Sequence, residues 1–309
     1  MNTHSDAISN SIDVQNVSVA AVSGTRPLYW SIRRELWENR FLYIGPLAVA
    51  GIFLLGFLIS MVHLPSKVRG LTALGLEYHA AVAVPYDFIA GLMMLTTILV
   101  SLFYSADALH GERSDRSILF WKSLPVSDFT AVFAKAMVPL LVVPLICFVI
   151  AVATQWIMLV ISSLVLLASG LSVSALWTRI SFLHMSLMLL YHLLTAHALW
   201  PFPIYCWLLL VSGWARRAVF LWAALPLVAI AALEQIAFRT WYFAMTVGRH
   251  LIGDTPAVSY TPPTVFPTNP MTHMTPLPFL SSTGLWVGLA LAAAFLAAAV
   301  RLRRQHGPV

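Results

Sequence analysis

Charge is what this sequence has least of. Of its 309 residues only 10% are Asp, Glu, Lys or Arg, while 60% are hydrophobic. Water-soluble domains carry about a quarter charged residues, so this chain has too little polar surface to cover its own core in water. Its apolar residues come in long runs separated by short charged clusters, the pattern of a polytopic membrane protein.

Other shortages exclude further classes. There are two cysteines, Cys147 and Cys206, both inside apolar runs, and they read as buried thiols with no disulfide. No Gly-Lys-Ser or Gly-Lys-Thr occurs and no dinucleotide glycine fingerprint, so the chain has no loop of its own to cradle the phosphates of ATP. No HExxH is present. His184, His192 and His197 share one apolar run, but His197 is about 140° around a helix from His192. They read as packing or pathway residues, and no metal is expected. The net charge of +6 is not one basic patch. Its residues recur at the ends of apolar runs, as in cytoplasmic loops, so no nucleic-acid partner is expected. The stretch before Thr25 has neither a basic start nor a continuous apolar core, which argues against a signal peptide. Residues 1–25 are expected to form a disordered cytoplasmic tail.

What is there is a series of spans. Leu28 to Arg40 places Leu28, Ile32 and Leu36 at helical spacing, which predicts an amphipathic helix over 26–40 lying on the membrane surface with its arginines near headgroups. Spans are predicted at Phe41 to Val62, Tyr86 to Ala106, Ala131 to Leu176, His184 to Val211, Ala218 to Phe238 and Leu285 to Val300. Residues 131–176 are long enough for one extended helix or for two. Reading them as one puts 13 of the 18 basic residues on the inner side, and as two only 11. The positive-inside rule therefore favours an all-α protein of about six transmembrane helices with both termini cytoplasmic, its membrane domain covering 41–304. His63 to Pro85 is expected as an external loop with room for a short interfacial helix. Residues 249–283 are also expected as an external loop, where seven prolines from Pro256 to Pro278 oppose a continuous helix. Pro139 and Pro144 are expected to kink the third span, and kinked helices can line a pathway. Glu234, an acid late in an apolar run, is expected to act as an interfacial anchor rather than inside a pathway.

Between the second and third spans lies a charged island, 107–128, DALHGERSDRSILFWKSLPVSD. Gly111 can break the preceding helix, Ser114 or Asp115 can cap a short amphipathic turn, Pro125 ends it, and Ser127 or Asp128 can cap the next helix. The turn presents Ile118, Leu119 and Trp121 as an apolar wedge. Glu112, Arg113, Asp115, Arg116 and Lys122 would give it polar register against a soluble partner.

The run Gly111 to Asp128, GERSDRSILFWKSLPVSD, resembles the loop between the second and third spans of bacterial ABC exporter permeases of the ABC-2 type. LYWSIRRELWENR at Leu28 to Arg40, LLLVSGWARRAVFLWAALP at Leu208 to Pro226 and FLSSTGLWVGLALAAAFLAAAVRLRR at Phe279 to Arg304 support the likeness, which covers most of the chain from Arg26 onward. The resemblance implies a non-enzymatic permease subunit in the bacterial inner membrane, paired with a second copy or a sister permease. It would recruit two copies of a separate ATPase subunit that binds ATP and magnesium. The alternative class is a membrane scaffold or polytopic membrane enzyme with no ATPase partner. Nothing in the sequence selects a substrate.

Overall fold

The computed structural model describes residues 25–73, 79–115, 126–173, 177, 182–252, 256, 258–259 and 273–305. The expected N-terminal tail up to residue 24, residues 116–125 of the charged island and most of the proline-rich loop lie outside the described residues.

The described chain is helical throughout, apart from a two-residue antiparallel pairing of Val258–Ser259 with His273–Met274. Six helices are apolar and long enough to cross a membrane, and the protein is an all-α polytopic membrane protein. Helix α1 is Thr25–Glu38 and α2 is Phe41–Ser60. A single 3-10 turn, Met61–His63, leads on into α3, Leu64–Ala73. The external loop expected from His63 is thus largely helix. Pro65 sits in the first turn of α3, where its missing N–H costs nothing, so the helical run passes through it.

Helix α4, His79–Asp107, is the central span. It takes Pro85 early in its course. A short α5, His110–Ser114, opens the charged island. On the far side of the island Ser127 caps α6, Asp128–Met137, its hydroxyl accepting from the Thr130 N–H at 3.1 Å. Then comes a π turn, Val138–Val142, and α7, Val143–Ala168. From Asp128 to Ala168 the run is one helix of 41 residues, roughly 60 Å at 1.5 Å per residue. Within the expected stretch 131–176 the described chain thus has one long helix ending at Ala168 and not two, about twice the thickness of a hydrocarbon core. Gly170, at φ +70°, ends it, with the Leu171 N–H returning to the Leu166 carbonyl at 2.9 Å.

The fourth span is broken. Helix α8, Phe182–Leu194, passes through a second π turn, Thr195–Leu199, and after Trp200 and Pro201 the chain resumes as α9, Phe202–Trp214. Trp156 of α7 meets Phe182 at the start of α8, and the two π turns touch each other. The end of α9 meets Arg113. Both halves therefore run toward the same end of the bundle, and the break bends one span rather than starting another.

Helix α10, Val219–Phe238, is flanked by two left-handed residues, Ala218 and Arg239. Helix α11, Tyr242–Ile252, comes directly after it, so helix continues past Arg249, where an extended loop was expected. Glu234 makes that turn. Its carboxylate accepts from the Thr240 hydroxyl at 2.7 Å and from the N–H groups of Tyr242 and Phe243 at 2.8 and 2.9 Å. The acid expected as an interfacial anchor caps the next helix. A short α12, Pro276–Leu280, precedes the last span, α13, Thr283–Gln305.

Helices α2, α4 and α7 pack against one another, α9 packs on α4 and α13, and α10 sits at the edge. The shared core includes Met93, Cys147, Met158 and Tyr205, all fully buried. Buried polar groups tie these helices: the Gln155 amide donates to the Tyr86 carbonyl at 3.1 Å, and the Tyr205 hydroxyl to that of His197 at 2.8 Å. Met158→Ala removes a fully buried side chain from the shared core, and truncations of this type cost about 2–5 kcal/mol. We expect a clearly lower unfolding temperature in detergent, and an unchanged one would show the core to be loosely packed.

Candidate functional site

At the end of the bundle where α5 begins the charged island, five segments bring their charges into one buried cluster. Its centre is Lys135 on α6, the lone cation in the third apolar run. Its ammonium donates to both carboxylate oxygens of Glu35 on α1, at 2.9 and 3.1 Å, and lies 3.2 Å from Glu112 on α5. Arg34 joins the same two carboxylates, reaching Glu35 at 2.8 Å and hydrogen-bonding Glu112. The Tyr104 hydroxyl on α4 donates to Glu35 at 2.7 Å. From α13, the Arg303 guanidinium lies 3.1 Å from the second oxygen of Glu112 and donates to Asp128 at 3.2 Å.

These groups are hidden from solvent: Glu35 is 1% exposed, Lys135 2%, and Glu112 and Arg303 6% each. An ion buried alone costs several kcal/mol, so each must find its counter-charge inside the protein. Glu38 and Arg304 complete the balance at the rim, Glu38 at 3.3 Å from Arg34 and Arg304 at 4.0 Å from Asp128. Burial pushes the Glu38 carboxyl up, against the pull of Arg34. The cluster's chemistry is electrostatic attachment of α1, α4, α5, α6 and α13 to one another.

The structure redraws two of the expected contact residues. Glu112 and Arg113 are turned inward, so they root the charged island in the bundle and are not part of an exposed face. The Arg113 guanidinium donates to the carbonyls of Gly213 and Ala215 at 2.7 and 3.5 Å, a cation on the open C-terminal end of α9. Beside it the Leu109 N–H donates to the Ser212 hydroxyl at 3.3 Å. Asp115 is exposed. Arg116, Ile118, Leu119, Trp121 and Lys122 lie outside the described residues.

Helix α1 also differs from the surface helix expected. Glu35 points into the cluster, Leu36 packs on the core, and Trp30 and Trp37 are exposed with the Arg33 guanidinium over both rings, 5.1 and 4.7 Å from their centres. Pro139 lies within the first π turn, and Pro144 in the first turn of α7. At the expected kink, then, the helix widens by a π turn that accommodates the prolines' missing N–H groups. His192 and His197 each bond a carbonyl of their own helix, at 2.8 and 3.1 Å. Among the described residues no group of three or more His, Cys, Asp or Glu could hold a metal ion.

Sequence reasoning missed the cluster itself. The signal was Lys135, since a charge inside an apolar run demands a partner.

Lys135→Met leaves Glu35 and Glu112 facing each other with one cation fewer. Breaking a buried pair in this way costs about 3–5 kcal/mol, and thermal unfolding in detergent should show it. Lys135→Arg should recover much of the loss. An unfolding temperature unmoved by Lys135→Met would mean that the cluster does not hold these helices.

No protein family, curated protein or solved structure matches this chain.

Proposed function

We propose that the chain is the membrane-spanning permease subunit of an ATP-binding-cassette exporter, working beside a separate ATPase that supplies the energy. The observation that carries this reading is the way the charged island is mounted. Its root, Glu112 and Arg113, is bonded into α1, α6, α9 and α13, and its far end passes directly into the 41-residue helix that begins at Asp128. A loop that only linked two spans would need no such anchorage. A loop that takes a load and passes it on does.

In this mechanism Ile118, Leu119 and Trp121 dock on the ATPase, with Asp115, Arg116 and Lys122 giving register. Closure of two ATPase copies on ATP and magnesium pushes the island. The push reaches α6 and α7 through Asp128 and reaches α1 and α13 through the charge cluster, because a buried ion cannot leave its partners cheaply. The helices move as rigid bodies and switch the pathway between open sides. The touching π turns, Val138–Val142 and Thr195–Leu199, are the places where such a movement is absorbed within the spans.

On this reading the cluster end of the bundle is cytoplasmic, since the island must meet the nucleotide pool, and both termini lie on that side. The membrane is the bacterial inner membrane, and the subunit works beside a second copy or a sister permease.

Two experiments test it. Co-purification with the ATPase should be lost on Trp121→Ala with Arg116→Glu, and full retention would remove the island from the mechanism. Arg303→Met should leave ATPase binding intact while hydrolysis falls to the level of the ATPase alone. Undiminished hydrolysis in that variant would show that the cluster carries no load.

A further inference from the structure

We propose that the groove between α9, α10 and α13 is a binding site for one acyl chain of a membrane phospholipid. This inference stands on the fold alone and does not depend on the transport reading.

The groove has a volume of about 400 Å³. Ile204 and Trp207 of α9 form its floor, Ile230 of α10 and Val287 and Leu291 of α13 flank it, and Phe243 of α11 lies over one end. Ile230, Val287 and Leu291 are each about half exposed, at 46, 54 and 48%. On α10 they continue into the exposed apolar side chain of Leu233. Both flanking helices are membrane spans, so the mouth opens on hydrocarbon. The groove's lining is almost wholly apolar, with the Thr246 hydroxyl and the His250 ring the polar groups that border it.

A helix of a second copy fits the groove poorly. The face of α13 that would ordinarily draw another helix is already occupied. Gly284 and Gly288 form a GxxxG pair, and a Cβ added at them would come within 3.2 Å of the Trp200 ring and 3.0 Å of the Pro203 ring. Trp200 and Pro203 of the same chain thus crowd that face, which also borders the groove. A flexible row of methylenes fills a narrow slot where a helix cannot.

The chain also has a direction. Helix α11 continues directly from the end of the α10 span and exposes Trp241 and Tyr242, the residues that settle at the membrane–water boundary. His250 of α11 stacks on Trp200 at 4.5 Å and closes the groove at that end. The lipid headgroup therefore lies beside α11, and its chain runs along α9 toward Trp207 and Phe295.

The test is photolabelling of the full chain in nanodiscs of phosphatidylcholine. A minor fraction of the lipid carries a diazirine midway along one acyl chain, and adducts are mapped by peptide mass spectrometry. Ile204 or Trp207 should be labelled at least as heavily as Ile52 and Leu55 on the exposed face of α2. Ile230→Trp with Val287→Trp narrows the mouth at positions already exposed and should lower floor labelling several-fold while α2 labelling stays the same. Should that variant misfold, Leu291→Trp serves the same end. An unlabelled floor beside a labelled α2, or floor labelling indifferent to both mouth variants, overturns the proposal. Cross-links between copies through the groove in place of lipid adducts would overturn it too and assign the groove to self-association.

Discussion

Glu35 is a carboxylate with almost no access to water, held at a junction where five segments of a membrane protein meet. Desolvating such a group costs several kcal/mol unless opposite charges and hydrogen bonds surround it. The surrounding geometry answers that requirement. Lys135 must rise out of α6 to meet it, Arg34 must fold back along α1, and Tyr104 must turn its hydroxyl toward it. Glu112, drawn in by the same cations, then needs Arg303 from the other end of the chain. One compensation entails the next, and the outcome is a tight ionic knot among helices that otherwise touch through apolar side chains. Buried ionic networks contribute little net stability compared with apolar packing, but they tolerate few alternative arrangements. Specific positioning of α1, the charged island and α13 is what this one supplies.

The two ends of the molecule are built on different principles. The cluster end is polar, crowded and closed: Arg113 caps α9, Ser212 accepts from the island's backbone, and Ser127 caps α6. Farther along, the spans have irregularities that the cluster end lacks. Two π turns sit in contact, one span is broken at Trp200 and Pro201, and α10 lies at the edge with most of its apolar surface uncovered. The arrangement is closed where charges meet and irregular where helices bend.

Much of this architecture was legible in the sequence because hydrocarbon is an exacting solvent. A span needs about twenty apolar residues whatever its neighbours do, so the positions of all six spans could be read from composition alone, and the count of basic residues favoured the single long helix from Asp128. Boundaries were less legible. Prolines such as Pro65 and Pro201 look like breakers in a sequence, yet one opens a helical turn and the other bends a span, a distinction set by which N–H groups are already unpaired. Charged side chains were the least legible. Glu112 and Arg113 read as surface residues because charges usually are, and the arginines of the first helix read as lying near headgroups. Only the partners across the fold decide that Glu35 is buried. Such pairings join residues about a hundred positions apart, and no local pattern contains them.

The edge helix α10 shows why exposure alone does not mark a protein partner in this setting. In water its uncovered row of Leu221, Leu225, Val228 and Ile236 would demand a binding surface. In a bilayer the same row is already at home, because lipid tails are as apolar as leucine. What distinguishes one apolar surface from another there is shape. A flat row of side chains is satisfied by any passing lipid, whereas a slot such as the one proposed beside Trp207 would hold a single chain. Close-packed glycine faces work the other way, drawing helices together by bringing backbones near. On α13 that face is already met by Trp200 and Pro203.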